Sequence, residues 1–233
     1  MAIRYENIVP WGRSYGEYLR MFRLNENDLC GRILGCGDGP ASFNCEMARR
    51  GMKMISADPL YKFTMREIKE RIRSTFEEII NQTYRNRGKF IWKDIPSIKE
   101  LGEMRMKAMK KFLEDYEKGK IESRYVDAEL PELPFKDLEF DLALCSHFLF
   151  LYSYNLTLEF HIASIREMCR VAKEVRVFPL LDVEGLISPY LDRVIETFKG
   201  EGKSVSVETV DYEFQKHGNR MLIIGGKYDT GNR

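Results

Sequence analysis

The segment Arg32-Ile33-Leu34-Gly35-Cys36-Gly37-Asp38-Gly39-Pro40 is a short apolar lead running into three alternating glycines. Beyond it, Phe43, Met47 and Ala48 fall at helical spacing, and Gly51 supplies a helix stop. Met52-Lys53-Met54-Ile55-Ser56-Ala57 then reads as a strand that ends at Asp58-Pro59. Strand, glycine loop, helix and strand in that order make one βαβ unit. Glycines at such a turn let the backbone approach a ligand closely and aim the helix N-terminus at it. The spacing narrows the ligand. A dinucleotide loop requires Gly-x-Gly-x-x-Gly/Ala, but the sixth position is Pro40 counting from Gly35 and Ser42 counting from Gly37. No Gly-Lys-Ser/Thr follows, so a nucleoside-triphosphate loop is excluded as well.

Downstream of this unit the pattern turns helical. Met65, Ile68, Ile72, Phe76, Ile79 and Thr83 recur at three and four, which predicts a long amphipathic helix. A second helix opens at Ser97-Ile98-Lys99-Glu100, in the form of a capping box, and continues through Leu101, Met104, Ala108, Phe112 and Tyr116, with Gly119 available to end it. Residues 62–120 are therefore expected to be a helical insertion between strands. The βα rhythm resumes with Arg124-Tyr125-Val126 and the buried run Phe140-Asp141-Leu142-Ala143-Leu144-Cys145, of the parallel-strand type. A helix over 158–171, the strand Val175-Arg176-Val177-Phe178 and a helix opened by Ser188-Pro189 follow. Ser204 to Val210 and Met221 to Ile224, joined through His217-Gly218-Asn219, predict an antiparallel C-terminal hairpin. The expected fold is α/β: a doubly wound, mostly parallel seven-stranded sheet with that hairpin, the helical insertion and an N-terminal cap segment over 1–30, all in one domain.

Composition closes off other classes. With 44% hydrophobic and 31% charged residues the chain is neither disordered nor a fibrous repeat. The longest stretch free of acidic and basic residues, Leu142 to Leu158, is interrupted by Ser146, His147 and Asn155, and fails as a membrane span. The N-terminus has no apolar signal region. Five cysteines without a Cys-x-x-Cys pair, and only three histidines, imply reduced thiols and no zinc cluster. A cytoplasmic location is expected. The net charge of +1 does not advertise nucleic-acid binding, yet Lys62 to Arg124 carries 17 basic and 11 acidic residues, a basic segment in an acidic frame.

Several of these segments, in order, resemble class I S-adenosylmethionine-dependent methyltransferases. Leu34-Gly35-Cys36-Gly37-Asp38-Gly39 resembles the family's first motif, which implies that Gly35, Cys36, Gly37 and Gly39 line the methionine part of the cofactor. Asp58 stands where the family keeps an acid for the ribose hydroxyls, with Pro59 and Leu60 beside it. Val126-Asp127-Ala128-Glu129, with Leu133-Pro134-Phe135 and Phe140-Asp141-Leu142, resembles the stretch in which an Asp side chain and the next N–H read adenine, here Asp127 and Ala128. Arg166 to Val171 resembles the helix before the fifth strand. The resemblance implies S-adenosylmethionine as cofactor, S-adenosylhomocysteine as product, and cofactor contacts at Ser146 and Arg13.

Two departures bear on the site. The acid usual two places before the first glycine is replaced by Ile33, and Arg13 and Tyr18 are candidates to take over its work or to serve as lid contacts. The Pro-Gly-Gly turn usual before the fifth strand is replaced by Ala172-Lys173-Glu174. His147, after the fourth strand, faces the transferred methyl in this fold and is the candidate general base. The expected activity is methyl transfer to a small molecule, with the insertion as a lid. The alternative is a non-catalytic or RNA-directed module that acts through the basic helices.

Overall fold

The computed structural model describes residues 9–227, so the first eight residues of the N-terminal segment lie outside the described residues. Seven strands form one sheet: β1 Ile33–Cys36, β2 Met54–Ala57, β3 Tyr125–Val126, β4 Phe140–Ser146, β5 Ala172–Phe178, β6 Lys203–Thr209 and β7 Arg220–Lys227. Their spatial order is β3-β2-β1-β4-β5-β7-β6. The first five pair in parallel, while β7 runs antiparallel to both β5 and β6. Order reverses between β1 and β4, and open α/β sheets bind ligands in the crevice at the carboxyl ends of the strands flanking such a switch. The register is tight there. Cys36 lies beside Ala57 on one side and Cys145 on the other, so Gly37, Asp58 and Ser146 emerge at one level.

Helices cover both faces: α1 Tyr15–Met21, α2 Glu26–Cys30, α3 Phe43–Arg49, α4 Met65–Arg85, α5 Ile98–Ile121, α6 Leu158–Val171 and α7 Leu191–Gly200. One apolar layer packs β4 and β5 against α6 and α7 through Ile165, Met168, Val194 and Phe198. The other buries Tyr18, Met21, Phe22, Phe43 and Met47 on the opposite face. Thr64 opens α4 with a reciprocal capping box to Glu67, and Ser97 caps α5 by accepting from Glu100 N–H.

The expected insertion divides in two. Of its helices, α5 is the crossover between β2 and β3, packing on α3 and β3. Arg124 locks it by reaching Asp115 of α5 and Asn44 of α3, each at 2.7 Å. Only α4 and the segment after it are additional. Gly119 does not end α5. It lies inside the last turn, where a Cβ would stand 2.3 Å from the Tyr125 ring. The C-terminal pair is antiparallel as expected, but its connection runs over 210–219 rather than through a tight turn. The connection from α6 into β5 is immediate, with Val171 ending the helix and Ala172 opening the strand. The thiols are all free: Cys36, Cys45 and Cys145 are buried, whereas Cys169 is half-buried and Cys30 exposed. Among the described residues no helix is long and apolar enough to cross a membrane.

Candidate active site

A cavity of about 920 Å³ opens over the carboxyl ends of the strands at the switch. That is the upper end of the ~300–1,000 Å³ usual for small-molecule sites. The glycine loop forms its floor. Gly37 and Gly39 have φ of +66° and +53°, the left-handed region that favours glycine. Gly35 answers a different need: a Cβ there would stand 1.9 Å from the Asp38 carboxylate, which folds back across the loop.

Asp38 is the group the sequence reading passed over. It is buried, accepts from Tyr18 Oη at 2.7 Å and Ser56 Oγ at 2.6 Å, and lines the cavity. Burial pushes its carboxyl up to about 6, although those two donors pull the other way. The signal was available. With Ile33 in the usual acidic position, the only acid within the glycine loop is Asp38, directly after Gly37.

Asp58 is half-buried at the end of β2. Its two oxygens accept from Leu60 N–H at 2.7 Å and Gly39 N–H at 2.8 Å. The first bond caps the 3-10 turn Pro59–Lys62 and the second ties β2 to the glycine loop. Burial outweighs both bonds and raises this carboxyl to about 6. Pro59, Leu60 and Ala128 line the cavity beside it. Asp127 does not: it is exposed, and the wall beyond β3 is made by Ala128, Glu129 and Leu130.

Across the switch, Ser146 and His147 join the wall after β4. His147 takes φ of +53°, gives its N–H to Phe178 O at 2.7 Å and holds its Nδ1 2.9 Å from Ser146 Oγ. Burial first, then Arg13 and Arg105, keep the imidazole well below its usual range, so it is neutral at pH 7. Arg13 lines the same region and donates to Trp11 O at 2.8 Å. Of the expected site residues, Cys36, Gly37, Gly39, Asp58, Pro59, Leu60, Ala128, Ser146, His147 and Arg13 thus meet around one cavity. Gly35 supports it from beneath.

A buried ion pair fixes the wall behind Arg13. Glu17 of α1 closes the capping box with Ser14 and takes two bonds from Arg105 Nη1 of α5, at 2.6 and 2.7 Å. Tyr212, in the β6–β7 connection, donates to the same carboxylate at 2.9 Å. Burial works to raise Glu17, but Arg105 and Arg13 overcome it and hold the group at about 2.

The roof is α4. Arg71, Thr75, Ile79 and Thr83 face the cavity from it. Its far end is tied down through Ile91 N–H to Phe214 O at 2.7 Å, Lys216 N–H to Lys89 O at 2.9 Å and the Lys89–Glu184 ion pair at 2.8 Å.

No protein-family model matches the chain. Solved structures of similar architecture include magnesium protoporphyrin IX methyltransferase from Synechocystis PCC 6803 with bound SAM, at 12% identity and TM-score 0.45 over 88% of this chain and 74% of that one. A SAM-dependent methyltransferase from Thermotoga maritima matches at 14% and 0.42 over 92% and 89%. Protein PH0226 from Pyrococcus horikoshii matches at 11% and 0.47 over 90% and 88%. Likeness this distant carries no residue role across. The strand order, the antiparallel β7 and the glycine loop at the switch make the architecture that of a class I methyltransferase. A much nearer relative is uncharacterized protein MJ0045 of Methanocaldococcus jannaschii, 35% identical over 228 residues, which span 95% of this chain and 99% of that protein. At that identity over nearly the full length of both, the chain belongs to the same family as MJ0045.

Proposed function

We propose that this protein is an S-adenosylmethionine-dependent methyltransferase acting on a small molecule. The observation that carries the reading is the pair of raised carboxyls, Asp38 and Asp58, facing one cavity from the ends of β1 and β2. The residues fit the cofactor. Asp38, in the loop that Gly35 makes room for, would hold the ammonium of the methionine part. Asp58 keeps a second lone pair on each oxygen for the ribose hydroxyls. Leu60 and Ala128 would flank the adenine, and exposed Asp127 plays no part in this assignment.

When bound, the cofactor supplies a methyl group already activated on a sulfonium. The chain's own work is then to hold the acceptor in line, exclude water and accept a proton where the acceptor carries one. His147, neutral and steadied by Ser146, is placed for that last task. The small-molecule reading is favoured over nucleic acid by the pairing of the basic helix surface. Lys99, Lys110 and Lys118 of α5 each face an acid one turn on, at Glu103, Glu114 and Glu122, which offsets part of that helix's positive charge toward phosphates.

Affinity should depend on pH with a defined sign. Both carboxyls have folded values raised above their unfolded ones. In the ligand-free protein their contribution to stability is therefore present below about pH 4 and lost as pH rises through about 6. A bound ammonium favours the ionised Asp38. S-adenosylhomocysteine affinity should accordingly rise roughly tenfold from pH 5 to pH 7, and Asp38→Asn should bind more weakly and lose most of that slope. Calorimetry across this range tests it, and a pH-independent wild-type affinity would remove Asp38 from the site.

The roof is proposed to act as the lid over the acceptor. Since its far end is anchored at 89–91, it would open by loosening along α4 rather than by swinging out. Amide exchange over 65–85 should slow when S-adenosylhomocysteine binds; unchanged exchange would make α4 a fixed wall.

A further inference from the structure

The cavity holds an unsatisfied cation. Arg13 and Arg105 lie close enough to repel one another, and the one acid among the groups acting on Arg13 is Glu17. Arg105 already takes Glu17 with two short bonds. Arg13 has a single bond, to Trp11 O, and its Nε is buried with no partner among the described residues. Burial and Arg105 together bring Arg13 down to about 10. A half-buried guanidinium whose Nε is left this way costs folding free energy unless a ligand completes it.

Its surroundings reach beyond β4. Asp38 is shifted by Ser56 and Tyr18, with no contribution from Arg13 itself. Arg13 bears on Tyr18, the donor to Asp38, and on His147 and Tyr152, both beyond β4, and is itself influenced by Tyr212 of the β6–β7 connection. Val183 is bonded to Leu151, next to Tyr152, and Phe214, two residues from Tyr212, stacks on Phe90, so these residues adjoin a largely apolar stretch of the lining in which Gln215 is the polar member. The cavity's acids, Asp38, Asp58 and Glu129, follow β1, β2 and β3 and stand at the other end.

We infer that the acceptor is a small, largely apolar molecule bearing an anionic group, carboxylate or the like, which Arg13 binds while the apolar body fills the lobe under α4. The inference rests on the methyltransferase reading only in naming that ligand the acceptor. It reassigns Arg13, which the sequence resemblance gave to the cofactor.

A matched pair of fluorescent probes tests it on the whole chain saturated with S-adenosylhomocysteine: 8-anilinonaphthalene-1-sulfonate, and N-phenyl-1-naphthylamine, the same rings without the anion. The sulfonate should bind once per chain and roughly 10- to 100-fold more tightly than the neutral probe. Arg13→Gln should abolish that preference without changing neutral-probe or S-adenosylhomocysteine affinity, and Arg13→Lys should keep part of it. Equal binding of the two probes by wild type, or a sulfonate affinity unmoved in Arg13→Gln, overturns the proposal. So does a tenfold loss of S-adenosylhomocysteine affinity in Arg13→Gln with 5′-methylthioadenosine unaffected, which would return Arg13 to the cofactor's carboxylate. If wild type binds no S-adenosylhomocysteine, the methyltransferase reading fails by itself, and the same probe comparison on the ligand-free protein still decides the anion site.

Discussion

Replacing Arg105 by methionine is expected to lower folding stability by about 3–5 kcal/mol, which for a chain of this size is a fall in Tm of roughly 6–20 °C. Arg105 is fully buried, and its removal leaves the Glu17 carboxylate in an apolar setting with Arg13 as its remaining cation. The methionine fills much of the volume, so the loss reads the stranded charge and not a cavity. The sign with pH is fixed by the same residue. In wild type, Glu17 is held near 2, so its contribution is present above the unfolded value of about 4.5 and is lost as pH falls toward 2. In the variant, burial dominates and Glu17 moves above its unfolded value, so its penalty shrinks as pH is lowered from that raised value to about 4.5 and is gone below it. Thermal melts of the two proteins at pH 4 and pH 7 check both statements. An equal Tm at pH 7 would mean that α1, α5 and the β6–β7 connection are not held together by this pair.

The second large effect is on ligand binding. Asp58→Ala should weaken S-adenosylhomocysteine by roughly 10- to 150-fold, from the loss of charge-assisted bonds worth about 1.5–3 kcal/mol. The sequence alone suggests an accessible carboxylate whose removal leaves Tm nearly unmoved. The structure changes that expectation. Asp58 holds the N–H groups of Gly39 and Leu60, so alanine also frees the glycine loop and uncaps the turn after β2. A lower Tm should therefore accompany the lost affinity. Exposed Asp127→Ala should leave both nearly unchanged, and calorimetry on the three proteins separates these outcomes.

What could be read from the sequence was what is local. The glycine spacing, the strand-ending Asp58 and the helical periodicity from Met65 to Thr83 are each written within a few residues, and each appears in the structure as expected. Groups assembled across the chain were not legible. Asp38 is an ordinary loop acid until β2 brings Ser56 and α1 brings Tyr18 to its oxygens. Glu17, Arg105 and Tyr212 are 88 and 107 residues apart along the chain, and nothing short-range pairs them. The different places of the two helices in residues 62–120 were illegible for the same reason. Both helices look alike in sequence, and only the pairing of β3 with β2 makes α5 a crossover and leaves α4 as a roof. Asp127 follows a strand as expected, while the cavity wall passes through Ala128 and Glu129 beside it.

Titrating the wild-type protein with S-adenosylhomocysteine and, separately, with NAD in a calorimeter at pH 7 decides whether the cavity over the glycine loop takes the S-adenosyl cofactor. One S-adenosylhomocysteine should bind per chain, with no heat from NAD. Binding of NAD without S-adenosylhomocysteine would assign the loop to a dinucleotide instead.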